Sequence, residues 1–113
     1  MRLVDANVVR NSSGNYVRAD LNSVAEAANT AITTDPDSLV SITNASGKDA
    51  YPIASLTWLI FPPEIKDDAR KKALVALLRW ILTSGQRECS SLGYTPLPRS
   101  LAAQQLGLLN SFP

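Results

Sequence analysis

The run from Ile53 to Phe61 is apolar, carries β-branched and aromatic side chains, and is closed by Pro62-Pro63. Such a run predicts a mostly buried strand. Beyond the double proline the period changes. Leu74, Leu77, Leu78 and Ile81 recur at i, i+3, i+4 and i+7, while Ala69, Ala73, Ala76 and Trp80 line the neighbouring face. That is helical spacing. The stretch from Lys48 to Thr83 therefore reads as a core strand handing the chain to a core helix. From Val75 to Leu82 the helix is apolar nearly all round, so it has to be covered on most sides. A chain of 113 residues has little material left to do so.

The remaining elements are shorter. Leu3 to Arg10 alternates imperfectly, Asn11-Ser12-Ser13-Gly14-Asn15 has strong turn chemistry, and Tyr16-Val17 is apolar again, which predicts a strand, a turn and a return. Asp20 is placed to cap a helix beginning at Leu21, with Leu21, Val24, Ala25, Ala28 and Ile32 as its apolar face and Asp35-Pro36-Asp37 as its stop. Val40 to Thr43 alternates as a short strand, and Asn44-Ala45-Ser46-Gly47 is the loop leading to the central run.

The long helix is expected to start near Pro63 or Glu64, with Glu64, Asp67 and Asp68 at the positive end of its dipole. Asp67 with Lys71, and Asp68 with Lys72, are i, i+4 pairs of the favourable orientation. Gly85 interrupts the pattern, Gln86 to Leu92 reads as about two further turns, and Gly93 is a C-cap. Tyr94 to Pro98 is held extended by its prolines, and Ser100 to Leu109 is a last helix. The order implies an α/β fold with too few strands to make a whole sheet, packed by about four helical segments.

Composition excludes more than it assigns. At 45% apolar and 19% charged, with a formal charge of +1, the sequence is that of a globular domain with no global field to draw nucleic acid or an acidic membrane. The longest apolar run is far short of a bilayer span. Met1 to Asn7 shows no charged region followed by an apolar one, so no export signal is expected there. Histidine is absent and Cys89 is the only cysteine. This removes the Ser-His and Cys-His nucleophile arrangements, the commonest metal ligand and any internal disulfide.

Each remaining chemical candidate has a plainer reading. Asp35-Pro36-Asp37 resembles the opening of a calcium loop, but Val40 stands where glycine is needed and Ser46 where glutamate is needed. Glu64, Asp67 and Asp68 fit dipole complementation better than acid–base work. Arg70-Lys71-Lys72 lies within a turn of compensating carboxylates and reads as a solvated face. Cys89 reads as a small half-buried residue. The glycines at 14, 47, 85, 93 and 107 form no phosphate-cradling motif. Asn11-Ser12-Ser13 and Asn44-Ala45-Ser46 match the glycosylation pattern and are read as turns. No catalytic, metal, cofactor or ligand-binding residue is identified, and no cofactor is expected.

Taken together and in order, the segments resemble a family. Val40-Ser41-Ile42-Thr43-Asn44-Ala45-Ser46-Gly47, then Ala50-Tyr51-Pro52-Ile53 and Thr57-Trp58-Leu59, look like the late segment of the PstS-type phosphate-binding proteins of ABC transporters. Upstream, Asn11 with Gly14 and Val17 and the Leu21-containing helix are similar to the preceding segment of that family. Downstream, Leu78-Arg79-Trp80, Gly85-Gln86 and Leu92-Gly93-Tyr94-Thr95-Pro96-Leu97-Pro98 look like its closing helix, glycine break and ending.

The resemblance implies the C-terminal portion of a type II periplasmic binding protein fold, roughly its last third. Residues 1–47 would be the end of the second lobe, and 48–113 the crossing strand and the C-terminal helices of the first. It implies a periplasmic or extracytoplasmic location and an ABC transporter permease as partner. The family's phosphate ligands lie upstream of anything here, so inorganic phosphate is a partner only together with that upstream part. This segment is expected to supply scaffold and hinge rather than ligand contacts, and not to be an enzyme. The alternative expectation is a stand-alone α/β interaction protein or a remnant without ligand binding, whose exposed apolar faces self-associate.

Overall fold

A computed structural model describes residues 8–30 and 40–112. Among them two strands, β1 (Val9–Arg10) and β2 (Tyr16–Val17), pair antiparallel with Val9 opposite Val17 and Arg10 opposite Tyr16. The turn between them has Gly14 at φ 85°, a conformation glycine adopts without a Cβ penalty. This is the expected strand, turn and return. The expected parts before Val8, together with Ile32 and Asp35-Pro36-Asp37, lie outside the described residues.

Helix α1 (Leu21–Asn29) is capped as its sequence predicts. The Asp20 carboxylate accepts from the Ser23 backbone N–H at 2.8 Å, and the Ser23 hydroxyl accepts from the Asp20 N–H at 3.1 Å. Its buried stripe is rotated from the predicted one: Ser23, Ala27 and Ala28 are buried, whereas Leu21 is exposed. Small side chains face inward because the 42–54 segment lies directly against the helix, and Tyr51 N–H donates to the Ser23 carbonyl at 3.0 Å.

Helix α2 (Asp68–Leu82) begins four or five residues later than Pro63 or Glu64. Asp67 is extended and its carboxylate accepts from the Ala69 and Arg70 N–H groups at 2.9 and 3.0 Å. A carboxylate that satisfies two orphan donors sets the boundary more strongly than a proline that merely permits helix. The predicted i, i+4 ion pairs do not form: Asp67 is turned to the cap, and Lys71 Nζ sits 5.9 Å from the centroid of the Phe112 ring. Among the described residues the one ion pair is Lys48 with Asp49 at 3.9 Å, fully on the surface.

The helix yields to two 3-10 turns, Ser84–Glu88 and Ser90–Leu92, in place of two α-helical turns. Gly85 requires its lack of a side chain here, since a Cβ would come within 2.9 Å of the Trp80 ring. Gly93, at φ 78°, ends the second turn as predicted. Residues 94–98 are neither helix nor strand, with Pro98 at φ −52° and ψ 141°, and helix α3 (Arg99–Asn110) follows.

Two predicted strands are absent. Residues 53–61 belong to no strand or helix, and Ile60 is 91% exposed, with Ile53, Trp58 and Leu59 also exposed. Residues 40–43 likewise pair with no neighbour. A strand needs a partner edge for its backbone groups, and the only sheet among the described residues is the two-residue hairpin. On α2 only Leu78 is buried, while Leu77 and Trp80 are each 52% exposed.

The core is correspondingly modest. Ala27, Ala28, Ile42, Ala45, Ala50, Ala54 and Leu101 cluster together, drawing from both sides of residue 47, with Val24, Val40, Leu56 and Leu97 packed against them. The exposed surface is 8308 Å², against roughly 6,100 Å² for a compact chain of this mass. The radius of gyration is 16.3 Å, against about 13 Å for a compact domain of this length. The described fold is mixed α/β, with an open apolar flank.

Candidate functional site

Two features could carry function. The first is a polar dock between the hairpin turn and the loop 44–50. Asn11 is 94% buried, and its carboxamide nitrogen donates to the carbonyls of Gly47, Lys48 and Ala50 at 3.3, 2.8 and 3.2 Å. Its carbonyl oxygen accepts from the Ser13 and Asn15 N–H groups at 3.1 and 3.0 Å. Every polar atom of this buried side chain is therefore engaged.

The neighbours repeat the pattern. Ser12 Oγ donates to the Ala45 carbonyl at 2.9 Å, Ser13 Oγ to that of Ser46 at 3.1 Å, and Asn15 Nδ2 to that of Lys48 at 3.0 Å. Asn11-Ser12-Ser13 and Asn44-Ala45-Ser46 are turns, as predicted, and they bind one another. Sequence reading missed that pairing. The available signal was the surplus of side-chain donors in Asn11 to Asn15, more than one turn can absorb locally.

The loop is also held from its far side. Asn44, at φ 54°, donates its N–H to the Pro52 carbonyl at 2.8 Å, and Thr43 Oγ1 donates to that of Ala54 at 3.2 Å. Gly47 packs so closely that a Cβ would sit 3.1 Å from both Ala50 Cβ and Glu26 Cγ.

The second feature is an apolar groove of ≈ 390 Å³ between the 56–61 segment and the two long helices. Leu56, Trp58 and Phe61 form one wall, Leu78, Ile81 and Leu82 of α2 a second, and Leu101, Leu108 and Leu109 of α3 a third. Phe61 meets Phe112 edge to face at 5.4 Å. Gln86 joins the helix end to the next segment, donating to the Ile81 carbonyl at 2.8 Å and accepting from the Leu97 N–H at 2.7 Å.

Neither feature holds reactive groups. Among the described residues no three His, Cys, Asp or Glu side chains gather as metal ligands. Cys89 is half-buried, with Sγ 3.9 Å from the Gly85 carbonyl. Glu64, Asp67 and Asp68 are exposed, Asp67 and Asp68 at the start of α2 and Glu64 in the segment before it. The Asp20 carboxyl is held below the usual aspartate range, chiefly by the Ser23 backbone N–H, and this is the work of a cap. No helix among the described residues is long and apolar enough to cross a membrane.

The described residues thus form a mixed α/β arrangement with a polar dock and an open apolar groove. No family model matches the chain. Over 97 residues it is 34% identical to the phosphate-binding protein PstS of Xylella fastidiosa strain Temecula1, a match covering 85% of this chain and 27% of the relative. The PstS of strain 9a5c is 33% identical with the same coverage. The chain spans about a quarter of the length of these curated relatives. Both are named as phosphate-binding proteins.

Proposed function

We propose that this chain is a segment of a phosphate-binding receptor serving ABC-transporter phosphate uptake in the periplasm, built on the type II periplasmic binding fold. It supplies scaffold and hinge, with phosphate held by parts of the receptor outside it. The observation that carries the reading is the ordered similarity to PstS across 97 residues. The open flank supports it. Ile53, Trp58, Leu59 and Ile60 are exposed where a sheet strand covered on both faces would bury them, and the remaining three quarters of a receptor would supply the cover. Residues 1–47 then finish the second lobe and 48–113 return to the first.

The test is the product in its source cells. An antibody against this chain should recover a protein well above 12.2 kDa that binds phosphate saturably in equilibrium dialysis, whereas the 113-residue chain alone should not bind it. A 12.2 kDa product without phosphate binding would overturn the reading. The exposed Leu77 and Trp80 would then favour a stand-alone interaction protein that self-associates through its apolar faces.

A further inference from the structure

We infer that Asn11 is the positioning residue of the passage out of the hairpin and α1: it latches the loop 44–50 and thereby sets the direction in which residues 50–54 depart. Where the chain crosses between the lobes of a receptor, the same latch fixes the closing geometry of the cleft without touching the ligand. That second clause rests on the receptor reading; the latch itself rests on geometry alone.

Three backbone carbonyls, those of Gly47, Lys48 and Ala50, converge on one carboxamide nitrogen. Carbonyl dipoles aimed at a common point repel one another unless a donor sits between them. Asn11 supplies that donor, and its own orientation is fixed because Oδ1 accepts from Ser13 and Asn15. Only a planar group with a donor on one side and an acceptor on the other serves both loops. Beyond the latch the backbone is tied at Asn44 to Pro52 and at Tyr51 to Ser23, and the segment from there toward Asp67 belongs to no helix or sheet. Motion of that segment therefore pivots beyond the latched loop.

Amide hydrogen exchange on the 113-residue chain reads the latch directly. N11A should accelerate exchange at Asn44, Ala50 and Tyr51 by at least about tenfold, with the amides of α2 as an unchanged internal control. N11D keeps the acceptor and loses the donors, so at neutral pH it should match N11A. Its carboxyl faces three carbonyls, so on acidification the protonated form regains one O–H donor. Protection relative to wild type at the same pH should then partly return.

Unchanged loop exchange in N11A, equal acceleration of loop and α2, or an N11D loop that does not respond to pH would each overturn the latch. If N11A fails to fold, the N11D pH series decides alone. Phosphate dialysis of the natural product separates the two readings. Failure of the wild-type product to bind phosphate removes the receptor reading and leaves the exchange result standing. In a product that binds, N11A should weaken affinity by about the factor by which the loop opens.

Discussion

Asn11 Nδ2 donates to the Lys48 carbonyl at 2.8 Å, joining positions 37 residues apart through a side chain that is 94% buried. The bond ties the first hairpin to the loop that sends the chain toward α2. Replacing Asn11 with leucine keeps the number and branching of the side-chain heavy atoms and strips every polar contact, leaving the Gly47, Lys48 and Ala50 carbonyls without their shared donor. N11L should lower the free energy of unfolding by about 2 kcal/mol in urea titrations. A change below 0.5 kcal/mol, the scatter of ordinary surface substitutions, would mean that water replaces the carboxamide without loss.

Ile42 is the one large side chain fully buried among the described residues, at 1% exposure. It packs among alanines 27, 28, 45, 50 and 54, and these have no side chain long enough to fill a void. I42A should cost about 3 kcal/mol, and I42V about 1 kcal/mol. L77A, on the uncovered face of α2, should stay within about 0.5 kcal/mol. Chemical denaturation of the three variants checks the ordering.

Asp20 gives stability a defined pH dependence. Its carboxyl is held below the ordinary aspartate range, first by the Ser23 backbone N–H and also by the Ser23 hydroxyl, so the folded state favours the ionised form. A carboxyl depressed in the folded state contributes its stability above the unfolded value of about 3.9, and loses it as pH falls through the lower folded value. Melting temperatures measured from pH 6 downward should therefore fall more steeply in wild type than in D20N, whose amide caps without titrating. Parallel curves would show that the cap does not depend on charge.

Gly93 separates backbone strain from packing. It adopts φ 78°, and nothing lies within 4 Å of where a Cβ would be. G93A should thus cost about 1 kcal/mol from conformation alone, with G93N less harmful because asparagine tolerates this region. At Gly85 φ is not the constraint, and a Cβ would meet the Trp80 ring at 2.9 Å. G85A should therefore shift Trp80 fluorescence, which G93A leaves unchanged.

Sequence alone determined what depends on neighbours along the chain. Asp20 before Leu21, Gly14 and Gly93 at positive φ, the helical period through Leu78, and the proline-held stretch from Tyr94 to Pro98 all follow from bonds or steric limits within a few residues. The absence of histidine and of a cysteine pair likewise settled which chemistries the chain lacks before any fold was known.

Tertiary structure decided the rest. The apolar run 53–61 has strand composition, yet strand formation needs a partner edge, and none among the described residues provides one. The start of α2 turned on whether Pro63 or Asp67 met the first free N–H groups, which required the geometry of the cap. Asn11 carries turn chemistry in the sequence. Its role as the donor to Gly47, Lys48 and Ala50 arises only when residues more than thirty positions apart meet, because hydrogen bonds at that separation depend on folding and leave no periodic trace in the chain.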